Sequence, residues 1–366
     1  MKTYKFKLKL TKKQENTCES WINSCRSLYN LALNERIMVY EMRKKSVSKY
    51  DQYNQLPDLK KQFPWFGEVY SDTIQEVLDR LEKTYQNFFR GAGFPKYSKK
   101  GEYNSFTFKR SFKVNEKTIK LPKIGEVKYF NSREIVGTPK TATVIREDNQ
   151  WFICITAEYE TSFETIEIDN QNPIGCDMGG IRFLALSNNT FIDSPEFMKP
   201  FESELRILQR KLARQKKGSK SREKTKQKIR KIYKKVSNRR LDFMHKVSTN
   251  LSNEYSVVYI EDLKLQKMQQ NGFSNINKMM SDKCFGNFKL LLSYKLKERG
   301  KHLGLVNPAY TSQTCNACGT VDKKSRISQA EFVCTSCGVV TNSDLNSSKN
   351  ILREGISKST KRKTLV

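Results

Sequence analysis

Several things are scarce in this chain, and each scarcity excludes a class of protein. Long apolar runs come first: no stretch approaches the ~20 consecutive apolar residues that a membrane-spanning helix needs. The opening residues, Met1-Lys2-Thr3-Tyr4-Lys5-Phe6, lack the apolar core of a secretion signal, so a cytosolic protein is expected. Acid is also scarce, with 38 Asp and Glu against 68 Lys and Arg and a formal charge of +30. A positive field of that size selects polyanionic partners, and nucleic acid is the first of them. A basic, solvated surface with no partner, or an anionic membrane, fits less well. Of nine cysteines, Cys18, Cys25, Cys154, Cys176 and Cys284 lack partners at a metal-binding spacing. In a reducing compartment they make no disulfide framework and are expected as small core residues. What remains is long enough, at 366 residues, for roughly two to three domains of about 150 residues each.

Residues 1–10 alternate, with Tyr4, Phe6, Leu8 and Leu10 on one side and Lys5, Lys7 and Lys9 on the other, which predicts a half-buried strand. From about 12 to 44, Trp21, Cys25, Leu28, Leu31, Ala32 and Tyr40 recur at helical spacing, and a second helical pattern covers about 71–90 until Gly91-Ala92-Gly93-Phe94-Pro95 breaks it. Strand signals return over 104–160, including Thr141–Ile145 and Trp151–Ile155. These patterns predict a β-barrel-like module interrupted by a helical insert. After Asn172-Pro173, Ile174–Cys176 and Phe183–Leu186 read as two adjacent strands turned at Gly179-Gly180. Between Arg206 and Arg240 there are 17 Lys and Arg and one acid, Glu223, yet Leu205, Leu208, Leu212, Ile229, Ile232 and Val236 supply a helical apolar face. A helical hairpin with one basic face, broken at Gly218-Ser219, accommodates both.

Two constellations carry chemistry. Cys315-x2-Cys318 and Cys334-x2-Cys337 are two knuckles 15 residues apart, each followed by glycine, Gly319 and Gly338. That is the spacing of a tetrahedral four-cysteine zinc ribbon; four thiolates leave no open position, so the Zn2+ is expected to be structural rather than catalytic. A redox Cys-x-x-Cys is the alternative, and the duplication argues against it. The second constellation is Asp177 at the end of Ile174-Gly175-Cys176, Glu261 at the end of the apolar run Val257–Ile260, and Asp344 at the start of a helical run. Singly, an Asp near a turn or helix start is more often a cap. As a set, acids at strand ends suit two Mg2+ ions ~4 Å apart that cleave phosphodiesters, since hard cations take oxygen ligands.

These segments resemble the transposon-encoded TnpB family, RNA-guided nucleases related to the compact type V CRISPR effectors. The resemblance rests on Gly175–Gly179, Arg239–Ser248, Ile260-Glu261-Asp262-Leu263, Thr311–Gly319 and Asp344–Ile351, and more loosely on Tyr85–Phe89 with Gly93-Phe94-Pro95. It implies an α+β multidomain chain: a wedge β-barrel (1–10 and 101–165) holding a helical recognition insert (11–100), and an RNase H-like RuvC nuclease domain (170–312 and 338–355) interrupted by the zinc ribbon (313–337). A disordered basic tail, 356–366, would follow. It places Asp177, Glu261 and Asp344 on the three catalytic acids and Cys315, Cys318, Cys334 and Cys337 on the zinc ligands. The implied activity is Mg2+-dependent cleavage of double-stranded target DNA next to a short motif, with a guide RNA as partner, in a prokaryotic cytosol near the nucleoid, as a monomer or a dimer on one RNA.

Two departures from the family pattern stand out. The third motif reads Asn342-Ser343-Asp344-Leu345-Asn346-Ser347-Ser348 where members often have Asp-Arg-Asp-x-Asn-Ala-Ala, and Cys176 and Met178 replace the commoner Ile and Leu. Two other readings compete: a cleavage-inactive, RNA-guided DNA-binding repressor, which would be expected to lose an acid, and an RNase H-like recombinase working without RNA. For nucleic-acid contact the candidates are Arg182, Arg239, Arg240, His245 and Lys246, with Tyr53, Thr73 and Gln75 on the helical insert as readers of the adjacent motif, since hydroxyls and amides bond base edges.

Overall fold

The computed structural model describes residues 1–159, 171–179, 182–262, 285–328 and 330–363. Gly180, Leu263, Cys284, the stretch 160–165 of the expected barrel and residues 364–366 of the expected tail lie outside them. The chain forms two compact units, Met1–Thr161 and Ser162–Val366.

In the first unit β1 (Lys2–Lys9) buries Tyr4, Phe6 and Leu8 and turns its lysines outward, as its alternation requires. Thr11 then caps α1 (Lys12–Arg43), its hydroxyl accepting from Gln14 N–H while the Gln14 side chain accepts from Thr11 N–H. α2 (Lys49–Gln62), the one-turn α3 (Trp65–Glu68) and α4 (Ser71–Phe89) follow. The chain returns as β2 (Ser105–Phe108), β3 (Lys113–Val114), β4 (Thr118–Leu121), β5 (Gly125–Tyr129), β6 (Thr138–Glu147) and β7 (Gln150–Glu158). All seven strands pair antiparallel in the order β2-β6-β7-β1-β5-β4-β3. β1 holds the sheet together, pairing with β7 through residues 2–7 and with β5 through residues 8 and 9. Among the described residues no ladder joins β2 to β3, so the sheet is ordered as an open one. α1 and α4 pack on its inner face, where Trp21 meets Phe106 and Phe108 at 5.4 and 5.9 Å between ring centres. Leu31 and Tyr40, expected in the buried stripe of α1, are exposed; Cys18, Ile22 and Leu33 take their place.

One expected base reader is corrected here. Thr73 is fully buried on α4 beside Ile74 and Val77, while Gln75 is exposed. Residues two apart on a helix point in opposing directions, so the two never shared a face. Tyr53 donates its hydroxyl to Asp79 at 2.6 Å, and Lys49 and Lys109 pair with the same carboxylate.

The second unit is built on a five-stranded sheet, β8 (Pro173–Asp177), β9 (Arg182–Leu186), β10 (Phe191–Asp193), β11 (Val257–Glu261) and β12 (His302–Val306), in the order β10-β9-β8-β11-β12. β8, β11 and β12 run parallel; β9 and β10 are antiparallel additions at one edge. Strand parity gives the sheet two distinct faces. Ile174, Cys176, Val258 and Ile260 face α6 (Lys220–Glu254) and α7 (Phe285–Glu298), in a core containing Phe183, Leu251, Phe288 and Leu292. α5 (Glu202–Arg214) and α6 make the basic hairpin, joined through Gly218 at φ +86° with Ser219 as the cap of α6. The opposite face, with Val257, Tyr259 and Val306, receives α8 (Ser343–Lys363) through Ile351, Leu352 and Ile356.

α8 lies very close to that face. A Cβ on Gly175 would stand 2.2 Å from Ser348 O, and one on Gly355 would stand 2.3 Å from the Tyr259 ring. Two boundaries read from the sequence shift accordingly. β13 (Glu331–Val333) pairs with β14 (Val340–Asn342), so the ribbon hairpin extends to Asn342 rather than ending at 337. The helix continues to Lys363, so residues 356–363 are helical where a disordered tail was expected: Ile356 packs on the sheet core, and Lys and Arg propagate a helix well once it is nucleated. We predict that Gly175→Ala destabilises this unit by about 1–3 kcal/mol or more, because the clash is with backbone. Urea denaturation beside Gly67→Ala, where a Cβ meets nothing within 4 Å, checks it; equal midpoints would contradict the close packing.

Candidate metal and carboxylate site

Asp177 and Glu261 end neighbouring parallel strands. Cys176 pairs with Ile260, so the two acids follow paired residues side by side, at the carboxyl ends where α/β sheets place their sites. Parity puts both on the α8 face, with Gly175, Val257 and Tyr259. Asp344, 7% exposed, comes to the same place from the first turn of α8. It is not the helix cap: Asn342 Oδ1 accepts from the N–H groups of Asp344 and Leu345 at 3.0 and 3.2 Å. The Asp344 carboxylate lies against Gly179, where a Cβ would come within 3.4 Å of Oδ2.

The electrostatics follow from this crowding. Burial raises Asp177, Glu261 and Asp344 raise it further, and Arg326 and the Met178 backbone N–H pull back, leaving its pKa at about 8. Burial also raises Glu261, against the Thr311 hydroxyl, which donates to Glu261 Oε1, and against Arg326. Arg326 comes from the ribbon, between the two cysteine pairs, and is the cation that both acids feel. Clustered acids held above their ordinary pKa suit a divalent cation, which would relieve the repulsion.

The four cysteines converge as their spacing requires. Their sulfurs lie within 4.8 Å of one another, with Cys315–Cys337 at 3.8 Å and Cys318–Cys334 at 3.6 Å. A tetrahedron with Zn–S of about 2.3 Å has edges near 3.8 Å, so the set fits zinc. The knuckles repeat one backbone design: Cys315 and Cys334 N–H donate to Thr320 O and Val339 O, and Gly319 and Gly338 N–H donate to Cys315 O and Cys334 O. Both glycines have positive φ, +80° and +69°. Thr320 lowers the Cys318 thiol through its hydroxyl and its N–H, favouring the thiolate a metal needs. Burial raises Cys18 and Cys25 to about 12, as inert core thiols.

The ribbon is tied to α8 by two amides to which the sequence reading assigned no role. Asn346 donates to Thr314 O at 2.7 Å and accepts from Asn316 N–H at 2.8 Å; Asn350 donates to Thr311 O at 2.9 Å and Thr314 O at 2.6 Å. The signal was there, two Asn four apart on one helix face, but their partners lie 30 or more residues away. Arg326 had no local signal at all.

The remaining candidates disperse. Arg182 stacks 3.6 Å from the Phe191 ring centre and lies 3.8 Å from Asp193. Arg239 lies over Phe201, Lys246 pairs with Asp242 at 2.7 Å, and the His245 carbonyl accepts from buried Lys295 at 2.7 Å. Arg240 is half-buried on α6.

The OrfB_IS605 family profile, described as a probable transposase, matches residues 155–272. A Cas12f1-like TNB domain profile matches 285–351, and a helix-turn-helix profile of the OrfB_IS605 group matches 1–45, residues that here form one strand and one helix. "Putative RNA-guided DNA endonuclease InsQ" of Escherichia coli (strain K12) is 31% identical over 97% of this chain and 92% of its own length. A "Putative RNA-guided DNA endonuclease" of Streptomyces pristinaespiralis is 28% identical over 98% and 90%. A solved Cas12f1–sgRNA–target DNA complex shares the fold at TM-score 0.60 and 15% identity, over 92% of this chain and 82% of that one. The chain belongs to the TnpB family, relatives of the type V effectors.

Two outcomes follow from the geometry. Asp177, raised to about 8, holds its proton in the folded state across a range where the unfolded chain, near ~3.9, has lost it. The folded state binds more protons there, so this group's contribution falls as pH rises from about 4 to 8. Without added Mg2+, Asp177→Asn should therefore melt higher than wild type at about pH 8.5 and like it at about pH 5; an equal gap at both would contradict the shift. Cys334→Ser should lower both the zinc content, from about one per chain, and the melting temperature, because ligand binding is coupled to folding. A zinc-free protein with unchanged melting would contradict a structural metal.

Proposed function

We propose that this protein is a transposon-associated, RNA-guided DNA endonuclease with a RuvC-type, RNase H-like nuclease unit, cutting target DNA beside a short adjacent motif. One observation carries the reading: three acids distant in sequence meet on one face of the sheet, at its carboxyl end, with their charge incompletely compensated. The printed names of the full-length relatives supply the guide RNA and the DNA. All three acids are present, which favours cleavage over a binding-only repressor.

Asp177, Glu261 and Asp344 would hold Mg2+, which when bound supplies an activated water and neutralises the leaving oxygen. Strand ends and the first turn of α8 bring the three acids near one another. Asp177 must release its proton to hold the ion, which ties metal uptake to pH. Arg326 offers charged donors beside the acids for a phosphate oxygen. The four-cysteine set would hold Zn2+ with no open position, as a structural ion. The basic face of α5 and α6, with Arg206, Arg210, Lys228, Lys231 and Arg239 exposed, suits nucleic-acid backbone, contacts that position the ligand without reading sequence. Base pairing would then read the target, and exposed Gln75 remains a candidate for the short motif.

Single substitutions test the site. Asp177→Ala, Glu261→Ala and Asp344→Ala should each reduce cleavage to background while guide and target binding stay near wild type, and double substitutions should be no worse than single ones, because the ligands act as a unit. Gel cleavage with Mg2+ and filter binding at fixed salt measure the two halves. Near wild-type cleavage by any one variant removes that residue from the site.

A further inference from the structure

The Glu261 carboxylate is held by a side chain outside the strands and α8. Thr311, 5% exposed, donates its hydroxyl to Glu261 Oε1. The same hydroxyl lies 3.1 Å from Pro308 O, but a hydroxyl has one proton, and the charged acceptor is the stronger. A rotating hydroxyl can orient a carboxylate only if its own backbone is fixed, and Thr311 is fixed from two directions. Asn350, 5% exposed, donates to the carbonyls of Thr311 and Thr314. Asn346, fully buried, grips Thr314 and Asn316, the residues on either side of zinc-type ligand Cys315. Buried amides are costly unless satisfied, so these bonds hold the register of the segment firmly. The helix that supplies both amides also carries Asp344, two residues before Asn346.

We infer that Thr311 is a positioning residue for Glu261, and that the first cysteine knuckle, clamped to α8 by Asn346 and Asn350, sets where Thr311 stands. The four-cysteine site therefore shapes the carboxylate site as well as stabilising the ribbon. This rests on reading the acids as a divalent-cation site. Groups that orient a metal ligand are typically worth about 10–100-fold in metal affinity. Thr311 also borders a cleft of about 390 Å³ with Arg353 and Glu354, so a variant could act through lost nucleic-acid contact; the readout must therefore need no nucleic acid.

The test uses the full chain, zinc-loaded and free of nucleic acid, with Mn2+ binding followed by electron paramagnetic resonance in wild type, Asp177→Ala, Thr311→Val and Thr311→Ser. Zinc content and melting temperature are recorded for each. The expected result is that Asp177→Ala loses Mn2+ binding, Thr311→Val weakens it by about tenfold or more with zinc and melting retained, and Thr311→Ser, which keeps the hydroxyl, restores it. Thr311→Val binding Mn2+ as wild type does overturns the inference while leaving the carboxylate site standing. Loss in Thr311→Val that comes with lost zinc or lowered melting, or that Thr311→Ser shares in full, makes the residue merely structural and also overturns it. If wild type and Asp177→Ala bind Mn2+ alike, the divalent site itself fails, and the inference with it.

Discussion

Three carboxylates that repel one another are held together at the end of one sheet, and much of the second unit can be understood as what that arrangement requires. Desolvation and like charge push Asp177 to about 8, so the site stores an unfavourable interaction that a cation would release. The relief built into the chain is partial. Arg326 reaches the acids from the ribbon, the Thr311 hydroxyl donates to Glu261, and Asp344 sits in the first turn of α8, where the helix dipole favours negative charge. None of these cancels the charge, which is what a loadable metal site needs.

Bringing Asp344 to the other two is a packing problem. β8 and β11 place Asp177 and Glu261 by ladder register alone; Asp344 must arrive on a helix that lies almost on the sheet. Gly175 on the sheet and Gly355 on α8 make that approach possible, with Tyr259 filling the space left at Gly355 and Gly304. The ribbon enters between β12 and α8 and is fastened to α8 by buried amides, so a small four-cysteine module with little core of its own gains a rigid base.

The legible parts of the sequence were those with local periodicity or fixed spacing. Alternation marked β1, short apolar runs marked β8, β9 and β11 and left an acid at the end of two of them, and the cysteine spacing marked a convergence of sulfurs that the 3.6 and 3.8 Å separations match. Features that depend on residues distant in sequence were not legible. Arg326 is one Arg in a basic chain until the ribbon folds back on the sheet, and Thr311 lies 50 residues from Glu261. The helical course of 356–363 depends on Ile356 finding the sheet core, which composition alone does not reveal. Thr73 is a different kind of miss: its spacing of four to Val77 and eight to Leu81 already placed it on the buried stripe of α4.

A chain this basic, with three acids gathered at one site, is expected to carry RNA when it is purified from its cell. The most direct test is to purify it after expression with its own flanking DNA, sequence the bound RNA, and challenge the complex with Mg2+ and plasmids that match the guide beside a randomised flank. The predicted result is one structured RNA species, cleavage only of matched plasmids, and a short preferred motif in the flank. Cleavage or strand transfer by RNA-free protein, or tight RNA and target binding with no cleavage by the wild-type chain, would contradict it.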